Sequence, residues 1–226
     1  MPNTLPAPRW RRRADCRPQE LLDAALEVFV ERGYAAARME QIAHRAGVSK
    51  GTLYLYYPGK AELLKAVVRQ SLLGNLIEAQ EQARKHQGSC RELLAFFLSE
   101  FTRRIARTKI SGIPKLILAE AGNFPEIAQF YFEEVIQRTR MLITDILRAG
   151  IACGEFRPLD LDHAWRIIVA PLVLGVLWKH TFQSFDPDSL DFDRYLDCLL
   201  DLLSHGMLAQ GTHETPQAAM LQEGKP

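Results

Sequence analysis

Cysteine is scarce: four in 226 residues, at positions 16, 90, 153 and 198. They are too few and too scattered for a disulfide framework, and neither a C-x-x-C pair nor a nearby histidine cluster suggests zinc. Reduced thiols and no metal site are the expectation. Long apolar runs are also missing. The longest, Ile167 to Trp178, has twelve residues and contains Pro171, whereas a bilayer span needs about 20, so no membrane partner is expected. The start, Met1-Pro2-Asn3-Thr4-Leu5-Pro6, has no apolar signal core, which points to the cytoplasm. No P-loop, G-x-G-x-x-G, G-x-S-x-G or H-E-x-x-H is found, so no catalytic residue and no cofactor is expected. Asp160, Asp162 and His163 are most simply helix-capping residues. What is plentiful is apolar side chain, at 47% of the sequence, ample for a buried core.

The net charge of +1 hides an asymmetry. Residues 1–66 carry eleven Lys/Arg against seven Asp/Glu, and the remainder seventeen against twenty. A basic amino-terminal third on a slightly acidic body implies that one end meets a polyanion.

No alternating β-branched stretch is long enough for a strand, while apolar residues recur every three or four positions, so the fold class is all-α. A first helix begins at Pro18, places Leu22, Ala25, Leu26 and Phe29 on one stripe and stops at Gly33. A second carries Met39, Ile42, Ala43 and Ala46 and ends at Gly47. Ser49 caps a third, residues 50–57, which Pro58-Gly59 terminates. A long helix from Lys60 to about Arg84 leaves this small domain and enters the next. Ser89-Cys90-Arg91-Glu92 has capping-box spacing and opens a fifth helix. Gly112 and Pro114 interrupt, Lys115–Gly122 forms a short helix, and another long one follows from Glu126 to about Cys153. The last two cover about Leu161–Ser184 and Asp191–Met207. The first of these is apolar almost all round and must be covered on several sides, and Pro171 should bend it. Together they suit a homodimer interface. The implied organisation is a disordered basic tail (1–15), a three-helix helix-turn-helix domain (16–66), a larger antiparallel helical bundle for effector binding and dimerisation (67–208) and a disordered tail (209–226).

Residues 39–57 have what a helix-turn-helix requires. Ala43 is small where two helices approach, Gly47 can take the positive φ of the tight turn, Val48 fills the angle, and Leu53 anchors the second helix from behind. The outer face is then left with Lys50, Gly51, Thr52, Tyr54 and Tyr56: a cation, a place for close backbone approach, a hydroxyl and two phenols. These suit base edges and phosphates in a major groove. Ser49 joins them at the cap.

On these residues the chain resembles the tetracycline-repressor (TetR) family of transcriptional regulators. The resemblance spans about residues 18–68, through Ala24–Phe29, Glu31-Arg32-Gly33-Tyr34, Gln41-Ile42-Ala43, Ala46–Tyr54 and Tyr57–Leu63. It implies a homodimer on a roughly palindromic double-stranded DNA operator, released when a small molecule enters the carboxy-terminal bundle. It also implies a phosphate contact for Lys60, at the start of the fourth helix. The sequence departs from the family at Ala37 and Arg38, where a hydroxyl usually caps the second helix; the lost cap costs about 1 kcal/mol, and Arg38 is left as an alternative phosphate contact. The tail Arg9-Trp10-Arg11-Arg12-Arg13 suits phosphates or a minor groove, or is simply solvated. A non-specific or architectural DNA binder is the alternative function.

Beyond residue 80 the resemblance thins. Lys115–Glu126 is similar to a branch associated with multidrug-efflux control. Phe97, Phe101, Trp165 and the apolar middle of the eighth helix are the candidates to line a cavity for a hydrophobic effector.

Overall fold

The structure is a computed structural model that describes residues 18–208. The tails expected at 1–15 and 209–226, with Arg9–Arg13 and Cys16, lie outside the described residues.

Nine helices make up the described residues, with no strand among them apart from a single bridge between Phe156 and Leu208. The first, α1 (Pro18–Ala36), is broken where the sequence requires it: Gly33 has φ 79° and ψ 165°, which only glycine adopts without strain. Helices α2 (Met39–Arg45) and α3 (Lys50–Tyr56) follow. Next, α4 runs Lys60–Val68, passes through a π-helical turn at Arg69–Leu73 and continues as Gly74–Lys85. In the same way α5 is Cys90–Phe101 with a π turn at Thr102–Ala106, and α7 is Pro125–Tyr131, a π turn at Phe132–Ile136, then Gln137–Ala152. Between them lie a 3-10 turn, Lys109–Ser111, and α6 (Gly112–Glu120). Helices α8 (Leu161–Thr181) and α9 (Phe192–Met207) close the bundle.

The Ser89 capping box forms as the spacing predicts. Glu92 N–H donates to Ser89 Oγ at 3.1 Å, and Ser89 N–H donates to Glu92 Oε2 at 3.0 Å. The cap of α2 is different. Arg38 has no acceptor to offer, but Gln41 Oε1 accepts Arg38 N–H at 3.2 Å, so half of the capping box survives the missing hydroxyl. Gly112 and Pro114 do not break the chain as expected. They lie in the first turn of α6, where proline's missing N–H has no helical partner to lose.

Two cores organise the molecule. One joins Leu21, Phe29, Ile42 and Leu53 of the first three helices to Leu63, Leu64 and Val67 of α4, and also to Ile113, Leu116 and Ile117 of α6 and Ile127 of α7. The other joins α4, α5, α7, α8 and α9 around Leu98, Ile143, Leu147 and Ile168. A boundary at residue 66 therefore falls inside a continuous helix, and α6 belongs to the packing of both units. Each fully buried leucine or isoleucine here stabilises by roughly 1.5–3 kcal/mol.

The cover that the sequence demands for α8 is only partly supplied. Trp165, Ile168, Leu172 and Val176 are buried, but Ile167 is 66% exposed, Leu174 57% and Phe182 51%. With Pro171 and Trp178 these form one stripe at helical spacing, and Leu202 of α9 is also exposed. Pro171 sits inside α8 without ending it. The twelve-residue apolar run understates this helix: by length and composition alone its 21 residues suffice to cross a bilayer, a test that core helices also pass.

Candidate nucleic-acid interface and effector cavity

The α2–α3 corner is built as its residues dictate. Gly47 has φ +70°, its N–H donates to His44 O at 3.1 Å, and Val48 N–H donates to Ala43 O at 3.0 Å. Ser49 then caps α3, its Oγ accepting Thr52 N–H at 3.0 Å and lying 2.8 Å from Thr52 Oγ1. Leu53 is fully buried, which fixes the rotation of α3 about its axis. Lys50, Gly51, Tyr54 and Tyr56 are accordingly exposed, with Thr52 half-buried beside the cap. Leu55, 86% exposed, shares this surface, although its apolar side chain carries no sequence signal for contact with DNA.

Within this face charge is already balanced. Lys50 is ion-paired with Glu40 of α2, its Nζ 5.7 Å from the Tyr54 ring centroid. The hydrogen bond from Lys50 holds the Glu40 carboxyl below the usual carboxylate range and raises the lysine in turn. Arg45 is tied to Glu31 at 2.7 Å. Arg38 is exposed at the start of α2, on the same corner.

Lys60, for which the resemblance implies a phosphate contact, is hydrogen-bonded within the chain. Its Nζ donates to three carbonyls that follow the Gly33 break: Tyr34 O at 2.6 Å, Ala35 O at 3.0 Å and Ala37 O at 3.1 Å. It also lies 4.5 Å from the Tyr34 ring centroid, and burial lowers its pKa from the ordinary lysine value. In this structure the ammonium closes the α1–α2 loop onto α4. Beside it, the first backbone N–H groups of α4 have no partner within the helix and suit an anion.

The body of the chain holds a cavity of about 820 Å³ between α4, α5, α6, α7 and α8. Phe97, Phe101 and Trp165 all line it, as does Val169 in the apolar middle of α8. Its walls are almost entirely apolar. Among its polar lining residues, Arg104 donates to Glu78 Oε1 at 3.0 Å, Glu100 Oε2 at 2.5 Å and Asn75 Oδ1 at 3.3 Å. Residues of all three π turns line the cavity, including Leu72, Ile105 and Val135. Such turns recur at functional sites because the widened helix displaces side chains from regular positions.

Sequence reasoning missed how α6 links the two sites. Ile117 and Leu118 line the cavity, while Glu120 at the end of the same helix is buried and accepts Ala35 N–H through Oε1 at 3.0 Å. Glu120 lies far from residue 35 in sequence, and only its apolar surroundings mark it out.

Comparison with known proteins agrees with this architecture. Residues 21–67 match the model for bacterial regulatory proteins of the tetR family, and residues 85–189 match a tetracyclin repressor-like C-terminal domain. The fatty acid metabolism regulator protein of Bacillus subtilis is 28% identical over 190 residues, covering 83% of this chain and 94% of that one. The transcriptional repressor KstR2 of Mycolicibacterium smegmatis is 30% identical over 167 residues, covering 72% of this chain and 78% of that one. The crystal structure of the regulator FadR from Bacillus subtilis in complex with stearoyl-CoA superposes with a TM-score of 0.72 at 26% identity, over 84% of this chain and 99% of that one. A helix-turn-helix corner on an all-α bundle, matched along most of its length by these regulators, makes the chain a member of the TetR family of bacterial transcription regulators.

Proposed function

We propose that this protein is a homodimeric transcriptional repressor that holds an inverted-repeat operator through paired α3 helices and releases it when a long apolar molecule, of the acyl-thioester class, fills the cavity. One observation carries the proposal: α4 has its first turns in the core beneath α3 and its later turns in the cavity wall. A ligand that spreads that wall therefore moves the DNA-reading head. Two heads engage one duplex only when their helices are spaced by about 34–36 Å or a compatible multiple, so a small tilt of α4 suffices to break the match.

The dimer follows from the uncovered stripe Ile167, Leu174, Trp178 and Phe182 on α8, with Leu202 on α9. A second copy presenting the same stripe buries both, as a two-fold interface requires. That contact also accounts for the apolar length of α8 without a bilayer. The acyl class rests on the apolar walls, the volume and the relatives named above, one of them bound to stearoyl-CoA. On this basis acyl-chain metabolism is placed ahead of the efflux control suggested by Lys115–Glu126.

The test is footprinting on the chain's own genomic binding sites, with and without stearoyl-CoA, for the wild type and for Thr52→Ala and Tyr54→Ala. A protected inverted repeat, affinity lowered roughly 5- to 150-fold by each variant, as loss of about 1–3 kcal/mol of base contact gives, and release by the thioester are expected. Equal affinity for random duplex at raised salt would instead mark a non-specific binder. Unchanged binding in both variants would remove α3 as the reader.

A further inference from the structure

The fold gathers cysteines that the sequence scatters. Cys90 is the first residue of α5, and Cys153 follows the last residue of α7. The chain reverses at Gly154, φ +79°, with Gly154 N–H donating to Ile151 O at 3.1 Å and Glu155 N–H to Gly150 O at 2.9 Å. This reversal brings Glu155 back against the start of α5. Its carboxylate accepts Cys90 N–H at 2.8 Å through Oε2 and Arg91 N–H at 3.0 Å through Oε1. The two sulfurs and a carboxylate oxygen lie within 4.8 Å of one another.

We propose that Cys90, Cys153 and Glu155 form a binding site for a thiophilic divalent cation of the zinc class, joining the head of α5 to the end of α7. Two sulfurs and one oxygen are a donor set that soft or borderline cations select over calcium or magnesium. Three protein ligands leave a fourth position for water. Metal–sulfur bonds of about 2.3 Å bring two thiolates to about 3.8 Å in a tetrahedral site, a distance that small side-chain rotations reach from the observed spacing. Each Glu155 oxygen accepts one backbone N–H and keeps a second lone pair for a cation. Cys153 is exposed, which gives an entry path.

The Glu155 carboxylate places a negative charge beside both sulfurs, which suits a cation, and a bound cation's own charge removes the thiol protons. Both helices that the site joins also line the cavity, through Phe97 and Val135, so a bound ion would stiffen that wall.

The test uses the full chain with Cys16→Ser and Cys198→Ser, leaving only the two thiols, under a thiol-free reductant. Titration with Co²⁺ should give a sulfur-to-metal charge-transfer band that saturates at one equivalent per chain. Equimolar Zn²⁺ should protect both thiols from maleimide and raise Tm. Adding Cys90→Ser or Cys153→Ser should abolish the band with the helical circular dichroism unchanged, and Glu155→Gln should weaken binding tenfold or more. The site is overturned if alkylation proceeds equally fast with zinc, if the band survives Cys153→Ser, or if Glu155→Gln binds as tightly as its parent. It is equally overturned if peroxide joins the two cysteines readily while zinc leaves them untouched, which would make the pair a redox device.

Discussion

Glu120 Oε1 and Ala35 N–H meet at 3.0 Å across the junction between the cavity wall and the DNA-reading head. The acceptor sits at the end of α6 and the donor just past the Gly33 break, so α6 grips α1 at the point where that helix loses its own hydrogen bonds. Glu120→Ala leaves the part-buried N–H without its partner. We expect a loss of about 1–3 kcal/mol in denaturant unfolding and a smaller change in operator affinity between effector-free and effector-bound protein, measured by fluorescence anisotropy. An unchanged effector response would restrict coupling to α4.

At Gly33 itself, the positive φ and an Oε1 of Glu120 lying 3.3 Å from where a Cβ would be placed combine against any side chain. Gly33→Ala should cost about 1–3 kcal/mol of stability, since φ 79° with ψ 165° lies in a region that essentially only glycine adopts. Urea unfolding midpoints measure it.

Lys60 offers a separation of roles. If its ammonium serves chiefly to bind the carbonyls of Tyr34, Ala35 and Ala37, Lys60→Met should lower stability by about 1.5–3 kcal/mol, in the range for hydrogen bonds involving charged groups and less where solvent screens them. A pure phosphate contact would leave the midpoint unchanged and reduce the salt slope of DNA binding by about one.

If α3 is the DNA-reading helix proposed above, the Lys50–Glu40 pair sets the charge it presents. Glu40→Gln frees the lysine without moving it. Affinity for random duplex at low salt should rise and its salt dependence steepen, because one more cation is available to displace counterions. Stability should barely change, as the pair is fully exposed.

His180 gives the fold a pH dependence. Burial, with Lys179 and Lys115 nearby, lowers its pKa from the ordinary 6.5, and its Nε2 lies 2.7 Å from Ser111 Oγ. The unfolded chain therefore takes up the proton first as pH falls. The contribution of His180 to stability is full above 6.5 and is lost progressively between 6.5 and the lower folded value. Tm should drop across that interval, and His180→Gln should flatten the drop.

Much of this was legible in local pattern. Pro18, Gly33, Gly47, Ser49 and the Ser89 box set helix ends through backbone chemistry that operates within four residues, and all of them sit where that chemistry requires. The aromatic lining of the cavity was legible too, because Phe97 and Phe101 share a helical face. What escaped was what only tertiary packing creates. Lys60 finds three carbonyls on another element, Glu120 reaches Ala35, and Cys90 meets Cys153, none of which any short spacing encodes. The breaks expected at Gly112 and Pro114 failed for a related reason: both residues are tolerated in a first turn, and only the packing of Gly112 against Val30 shows that the helix begins there.

Each π turn holds one residue more than a regular α turn between the same hydrogen-bonded partners. Deleting a single residue within Arg69–Leu73 would restore a regular helix and leave the turns beyond it on the same faces, because the π turn is what absorbs the extra residue. The part of the cavity wall that the π turn supplies, Leu72 included, would be remodelled while the turns beneath α3 stayed fixed. A one-codon deletion thus supplies a route by which such a chain can change what it senses and keep what it reads.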